Sequence, residues 1–125
     1  MTLNFKSKKT YIIAEAGINH NGNMNLARKL VLAAKKAGAD AVKFQTFTTS
    51  SVVTKFAEQA PYQIKNMKKK EKQFDMLKKY ELINKDFFAL KAYCQKIKID
   101  FISSVFDEHG VSFLLNKIGS KVIKL

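Results

Sequence analysis

Three charged side chains interrupt segments that are otherwise apolar. Lys43 stands in Ala41-Val42-Lys43-Phe44-Gln45-Thr46, Glu15 in Tyr11-Ile12-Ile13-Ala14-Glu15-Ala16, and Lys124 near the end of Lys121-Val122-Ile123-Lys124-Leu125. Burying an ionised group costs several kcal/mol unless a partner or ligand compensates it, which is comparable to the whole net stability of a small domain. Three such intrusions near strand ends point to an active site. Two ammonium groups suit an anionic ligand such as a phosphate or a carboxylate, and Ser103 or Ser104 can add a hydroxyl donor. A carboxylate beside them can orient a hydroxyl or accept a proton.

These groups meet only if their segments are neighbouring strands that share a facing. Lys43 and Gln45 differ by two and point the same way, opposite to Val42 and Phe44; Ile13 pairs with Glu15 in this sense, and Val122 with Lys124. The elements around them alternate. A strand over Tyr11 to Ala16 ends in the turn cluster 17–23. An amphipathic helix follows from Met24, with Ala27, Leu30, Val31 and Ala34 on its stripe, Asn23 as its cap and Gly38 at its end. The second strand covers Ala41 to Phe47. An irregular stretch then reaches about Lys72 and holds the only proline, Pro61; connections of that length in compact domains are usually binding loops. Helical spacing returns over Glu71 to Leu82 (Phe74, Leu77, Tyr80) and again after Asn84, read as a cap, with the stripe Phe87, Leu90, Cys94 and Ile97. The third strand is Phe101 to Val105. Asp107 caps a helix carrying Val111, Leu114, Leu115 and Ile118 that Gly119 closes, and Lys121 to Leu125 is a fourth strand.

This order is that of right-handed βαβ crossovers and a parallel sheet. Strands apolar on both faces, with functional groups only near their C-terminal ends, are those of a parallel barrel. The fold class is therefore α/β, a TIM-barrel fragment of roughly the first four strands of a (β/α)8 barrel, which needs about 250 residues when complete. Residues 1–10 form a lead-in and 11–125 the half-barrel. An exposed parallel edge strand is an association hazard, so the natural polypeptide is expected to continue past Leu125.

A chain of 125 residues with 46% hydrophobic content supports one core. Cys94 is the single cysteine, so no internal disulfide is expected and a reducing, cytoplasmic setting fits; neither a signal peptide nor a membrane span is expected from these residues. The net charge of +13 raises nucleic acid as a partner, but 22 of the 23 basic residues are lysine and only Arg28 is arginine, whereas base-edge and bidentate phosphate recognition favours guanidinium. The run from Lys65 to Lys72 reads as a solvated face. Simpler explanations exist for the chemical residues too: Glu15 and Lys43 as a structural ion pair, Lys124 reaching to water, and His20 as a hydrogen-bonded turn residue. With His109 the only other histidine, no metal site assembles from this chain alone.

The motifs Ile13-Ala14-Glu15-Ala16-Gly17-Ile18-Asn19-His20-Asn21-Gly22, Val42-Lys43-Phe44-Gln45-Thr46-Phe47, Ala60-Pro61-Tyr62-Gln63 and Ser103-Ser104-Val105-Phe106-Asp107-Glu108 together resemble the N-terminal part of the N-acetylneuraminate (sialic acid) synthase family, closest to its sialic and legionaminic acid subgroup. The resemblance implies a TIM barrel followed by a small antifreeze-like domain. It implies condensation of phosphoenolpyruvate with an N-acylated amino sugar in its open-chain aldehyde form, to give a nonulosonic acid and phosphate, with a divalent manganese or magnesium ion polarising the aldehyde. Carbon 3 of phosphoenolpyruvate attacks the carbonyl, water adds at carbon 2, and phosphate leaves with C–O cleavage. On this likeness Lys43, Lys124 and Ser104 bind phosphoenolpyruvate, Gln45, Tyr62 and Gln63 face the sugar, and Glu15 is the catalytic carboxylate. The metal ligands, the serine-glycine-glutamate stretch and the C-terminal domain lie beyond Leu125, so the isolated chain is expected to be inactive and the full-length protein a homodimer. Val105 stands where the family usually has proline, which loosens the turn beside Ser104. The same residues also suit a class I aldolase with a Schiff-base lysine, and the basic run a non-enzymatic binding module.

Overall fold

The computed structural model describes residues 9–53, 60–62, 65 and 72–125. The expected alternation is realised as a four-stranded parallel sheet, β1 (Ile13–Gly17), β2 (Ala41–Thr46), β3 (Asp100–Val105) and β4 (Ile123–Lys124), hydrogen-bonded in the order in which the strands occur. Between them lie α1 (Met24–Lys36), α2 (Thr49–Val52), α3 (Gln73–Tyr80), α4 (Asn84–Ile97) and α5 (Glu108–Ser112), the last continuing through a wider π-type turn over Phe113–Ile118.

Helix α1 begins where Asn23 Oδ1 accepts from the backbone N–H of Asn25 and Leu26 at 2.8 and 3.1 Å. It ends at Gly38, whose φ of +83° suits the residue without a Cβ. Its buried residues are Ala27, Val31 and Ala34. Helix α4 buries Phe87, Leu90 and Cys94 as its spacing predicts, but Asn84 is not its cap. Ile83 holds that position, and the Asp86 carboxylate accepts from the Ile83 N–H at 3.2 Å. In α3 the expected stripe of Phe74, Leu77 and Tyr80 is only half-buried, and Met76 is buried. The apolar arc of that helix runs from Met76 round to Phe74, and packing selects one end of it. Asp107 does cap α5, accepting from the Gly110 N–H at 2.7 Å.

Strand parity separates two faces. Val42, Phe44, Phe101 and Val105 pack with α1, α4 and the α5 turn residues Leu114 and Ile118 in one core. Ser103 and Thr46 share that face and satisfy each other through a 2.7 Å hydrogen bond between their hydroxyls. The other face presents Ile13, Glu15, Lys43, Ile102, Val122 and Lys124 to an open concavity lined only by strand-segment residues. Helices on one face and strands in consecutive order describe a barrel wall, whereas a doubly wound sheet reverses its order and carries helices on both sides.

The N-terminal ends of the strands are latched together. Asp40 accepts from the Ile12 N–H at 2.8 Å, its own N–H returns to the Ile12 carbonyl at 2.9 Å, the Asp100 N–H reaches the Asp40 carbonyl at 3.0 Å, and the Tyr11 hydroxyl donates to Asp100 Oδ2 at 2.5 Å. Burial, and then the bond to Asp100, push the Tyr11 hydroxyl well above the usual tyrosine pKa. Among the described residues no helix is long and apolar enough to cross a membrane.

Candidate active site

The β1–β2 register sets Glu15 opposite Lys43, and the β2–β3 register sets Gln45 opposite Ser104. Ser104 is opposite Lys124 in turn. Because all five occupy the face away from the helices, their side chains converge near the C-terminal ends of the strands. Lys43 is 7% exposed, and its ammonium is held from two sides: Nζ lies 2.6 Å from Glu15 Oε2 and donates to Ser104 Oγ at 3.0 Å. A buried cation survives in this strand because both partners are supplied by adjacent strands. Glu15 is half-exposed toward the concavity. Its second oxygen, Oε1, carries no hydrogen bond among the described residues.

Ser104 accepts from Lys43, so its own hydrogen is available to a ligand. Ser103 belongs to the opposite face, which settles the choice between the two serines. Lys124 is exposed and lines the same concavity as Lys43 and Glu15. Gln45 is half-buried, with its amide above Gly17. Tyr62 is largely exposed and makes no described contact with this group, while Gln63 lies outside the described residues, as do most of the lysines of the 65–72 run. Among the described residues no group of three or more histidine, cysteine, aspartate or glutamate side chains could hold a metal ion.

Two functional-looking features lie beside this rim. His20 is fully buried in the β1–α1 turn, accepts from the Gly22 N–H through Nδ1 at 2.9 Å, and sits 6.0 Å from the Phe44 ring. It is the hydrogen-bonded turn residue expected, although nothing local predicts its complete burial. That burial lowers its pKa, against an opposing pull from Asp86. The second feature escapes sequence reading altogether. Glu81 accepts from both the hydroxyl and the N–H of Thr49, at 2.7 and 3.0 Å, capping α2 from 32 residues away, and pairs with Lys78 at 3.1 Å. Burial alone would raise the Glu81 pKa; the bonds from Thr49 and Lys78 outweigh it and hold the carboxyl below its usual value.

A second groove runs among the starts of α2, α4 and α5, past Thr48, Glu81, Lys85, Asp107 and His109. Its two carboxylates are already committed to Thr49 and Gly110. It is a seam between elements, and the convergent charges are on the concave face.

A cation clamped between a carboxylate and a hydroxyl at the C-terminal ends of consecutive parallel strands, with helices on one side only, is the placement that active-site groups take in α/β barrel enzymes. The family model for the NeuB family matches residues 30–125, and the chain belongs to that family. It is 45% identical over 119 residues to the N,N'-diacetyllegionaminic acid synthase of Legionella pneumophila, covering 95% of this chain and 33% of that protein. It is 46% identical over 118 residues to the enzyme of the same name from Campylobacter jejuni, covering 94% of this chain and 35% of the relative. The crystal structure of the N-acetylneuraminic acid (sialic acid) synthetase of Leptospira borgpetersenii, solved with citrate, superimposes with a TM-score of 0.72 at 30% identity, covering 92% of this chain and 35% of that one. The chain thus spans about a third of the length of the curated relatives it matches. The expected family and α/β fold are borne out, and the family is one of named acid synthases.

Proposed function

We propose that this chain is the part of a nonulosonic acid synthase that binds phosphoenolpyruvate and presents it to the aldehyde of an N-acylated amino sugar. The observation that carries the reading is the Lys43 ammonium fixed between Glu15 and Ser104, with Lys124 on the next strand along the same concavity. Phosphoenolpyruvate is a small, multiply charged anion. Lys43 and Lys124 supply cations to it, and the Ser104 hydroxyl supplies a donor that Lys43 has already oriented. Glu15 has one oxygen spent on Lys43, and the other is free to orient a sugar hydroxyl or to take a proton as water adds at carbon 2. Gln45, two residues beyond Lys43, faces the same space and suits the polar sugar.

The divalent manganese or magnesium ion that the resemblance implies belongs to the full-length enzyme in this proposal, with ligands that are not among these residues. A single half-exposed carboxylate with one oxygen on an ammonium is not a donor set for a hard dication, and no step is assigned to a metal by these residues. The full-length homodimer and a cytoplasmic location belong to the same proposal; a lone, buried Cys94 thiol accords with the latter.

The aldolase alternative uses Lys43 or Lys124 as a nucleophile, which needs a free amine at the moment of attack. Lys43 is here engaged by two partners, Glu15 and Ser104, which favours its reading as an anion-binding group, and trapping decides between the two. Phosphate release by the full-length polypeptide, measured with phosphoenolpyruvate and N-acylated mannosamine-type sugars, is the test. Release that requires both substrates supports the synthase. No release with any such sugar, or a borohydride-trapped adduct on Lys43 or Lys124, overturns it.

A further inference from the structure

The strand that carries Glu15 does not run straight past it. Glu15 pairs with Lys43, but the next pairing joins Gly17 to Phe44, so Ala16 is an extra residue and β1 bulges. Bulges re-aim side chains and are concentrated beside active sites. Here the bulge turns through Gly17 at φ +53°, and the space where its side chain would stand is bordered by the heads of two site residues. A Cβ at position 17 would lie 3.3 Å from Glu15 Oε1 and 3.5 Å from Gln45 Nε2. The first contact is tighter than ordinary packing, and the atom that must yield is the one carboxylate oxygen not held by Lys43.

We propose that Gly17 is a positioning residue of this site: by lacking a side chain it lets the free oxygen of Glu15 and the amide of Gln45 close over the bulge and face the sugar together. The inference rests on the assignment of Glu15 and Gln45 made above. It separates two halves of the site. Lys43, Ser104 and Lys124, which face phosphoenolpyruvate, touch nothing at position 17, whereas both sugar-facing groups do.

Gly38 provides the control. Its φ of +83° is equally left-handed, and a Cβ there meets nothing within 4 Å. Gly38→Ala therefore imposes the backbone strain without crowding the site. In the full-length enzyme Gly17→Ala should lower kcat/KM for the sugar about tenfold or more, since displacements of a few tenths of an ångström at reacting groups are costly. The KM for phosphoenolpyruvate should stay within about twofold, as expected when the groups facing it are untouched, and Gly38→Ala should leave both values near wild type. In a Glu15→Ala background the added Gly17→Ala should cost little more, because the oxygen it displaces is gone. If Gly17→Ala does not fold, Gly17→Asn tolerates the positive φ and carries the same Cβ, so it takes the same measurements. Equal kinetic effects of the Gly17 and Gly38 variants, or a full Gly17→Ala effect in the Glu15→Ala background, overturn the proposal. A wild-type enzyme that releases no phosphate overturns instead the assignment of the site, which distinguishes the two failures.

Discussion

At the scale of single residues the proposed function divides the labour of the site among its side chains. Lys43 has its charge neutralised on one side by Glu15 and is held by Ser104, so its remaining N–H faces the concavity. Removing it should damage binding more than stability. Lys43→Met in the full-length enzyme is expected to reduce kcat/KM for phosphoenolpyruvate by roughly 30-fold or more, the range for truncating one member of a close charge pair. The destabilisation should stay near 1–2 kcal/mol because Glu15 is half-exposed and rehydrates. Steady-state kinetics and urea titration of the same preparation check both. His20 allows a pH prediction. Its folded pKa is lowered from 6.5, so the unfolded chain takes up the proton first as pH falls. Stability attributable to His20 is full above 6.5, is lost as pH drops from there to the folded value, and then levels off. His20→Asn keeps an acceptor for the Gly22 N–H and cannot titrate; urea midpoints measured across this interval should slope less in the variant than in the wild type.

At the scale of elements, the connection after β2 is tied down at points far apart in sequence. Thr49 opens α2 and Glu81 follows α3, yet the carboxylate of one caps the other. Losing the hydroxyl in Thr49→Val should cost about 1.5–3 kcal/mol, the value of a hydrogen bond to a charged group, read as a shift of the denaturation midpoint at unchanged slope. The β1–α1 turn approaches α3 just as closely. A Cβ on Gly22 would stand 2.2 Å from the Lys79 carbonyl oxygen, and its φ is +70°. Gly22→Ala must displace backbone against backbone, and overpacking together with strain is expected to cost about 2–5 kcal/mol by the same measurement. A cost under about 1 kcal/mol, typical of a surface change, would show that the turn and α3 separate freely.

At the scale of the whole molecule the two rims are specialised. Charges that converge on the concavity gather at the C-terminal ends of the strands, and the Tyr11–Asp100–Asp40 latch closes the N-terminal ends. Tyr11→Phe should therefore lower stability by about 1–2 kcal/mol and leave substrate kinetics of the full-length enzyme unchanged, a pairing that thermal unfolding and phosphate-release assays test together.

The register between strands decided that Glu15, Lys43 and Lys124 share one face. Parity was enough to put Lys43 with Gln45, Ile13 with Glu15 and Val122 with Lys124, because alternation is a property of each strand's backbone. The α1 and α5 caps were legible for a similar reason: Asn23 and Asp107 bond to amides two or three residues ahead. Asn84 is not the cap because the helix starts one residue earlier than its spacing suggested: Ile83 is the cap and Asn84 is already helical, and the Asp86 carboxylate reaches back to the Ile83 N–H. What the sequence alone determined was the alternation of elements, which residues share a facing within each strand and, through its motifs, the family. Only the tertiary structure decided which serine meets Lys43, that β1 bulges at Gly17, that Met76 is the buried residue of α3, and that Glu81 caps α2. Each of these depends on strand register or on contacts between distant segments, and the free energy of such contacts is a property of the packed chain that no local pattern contains.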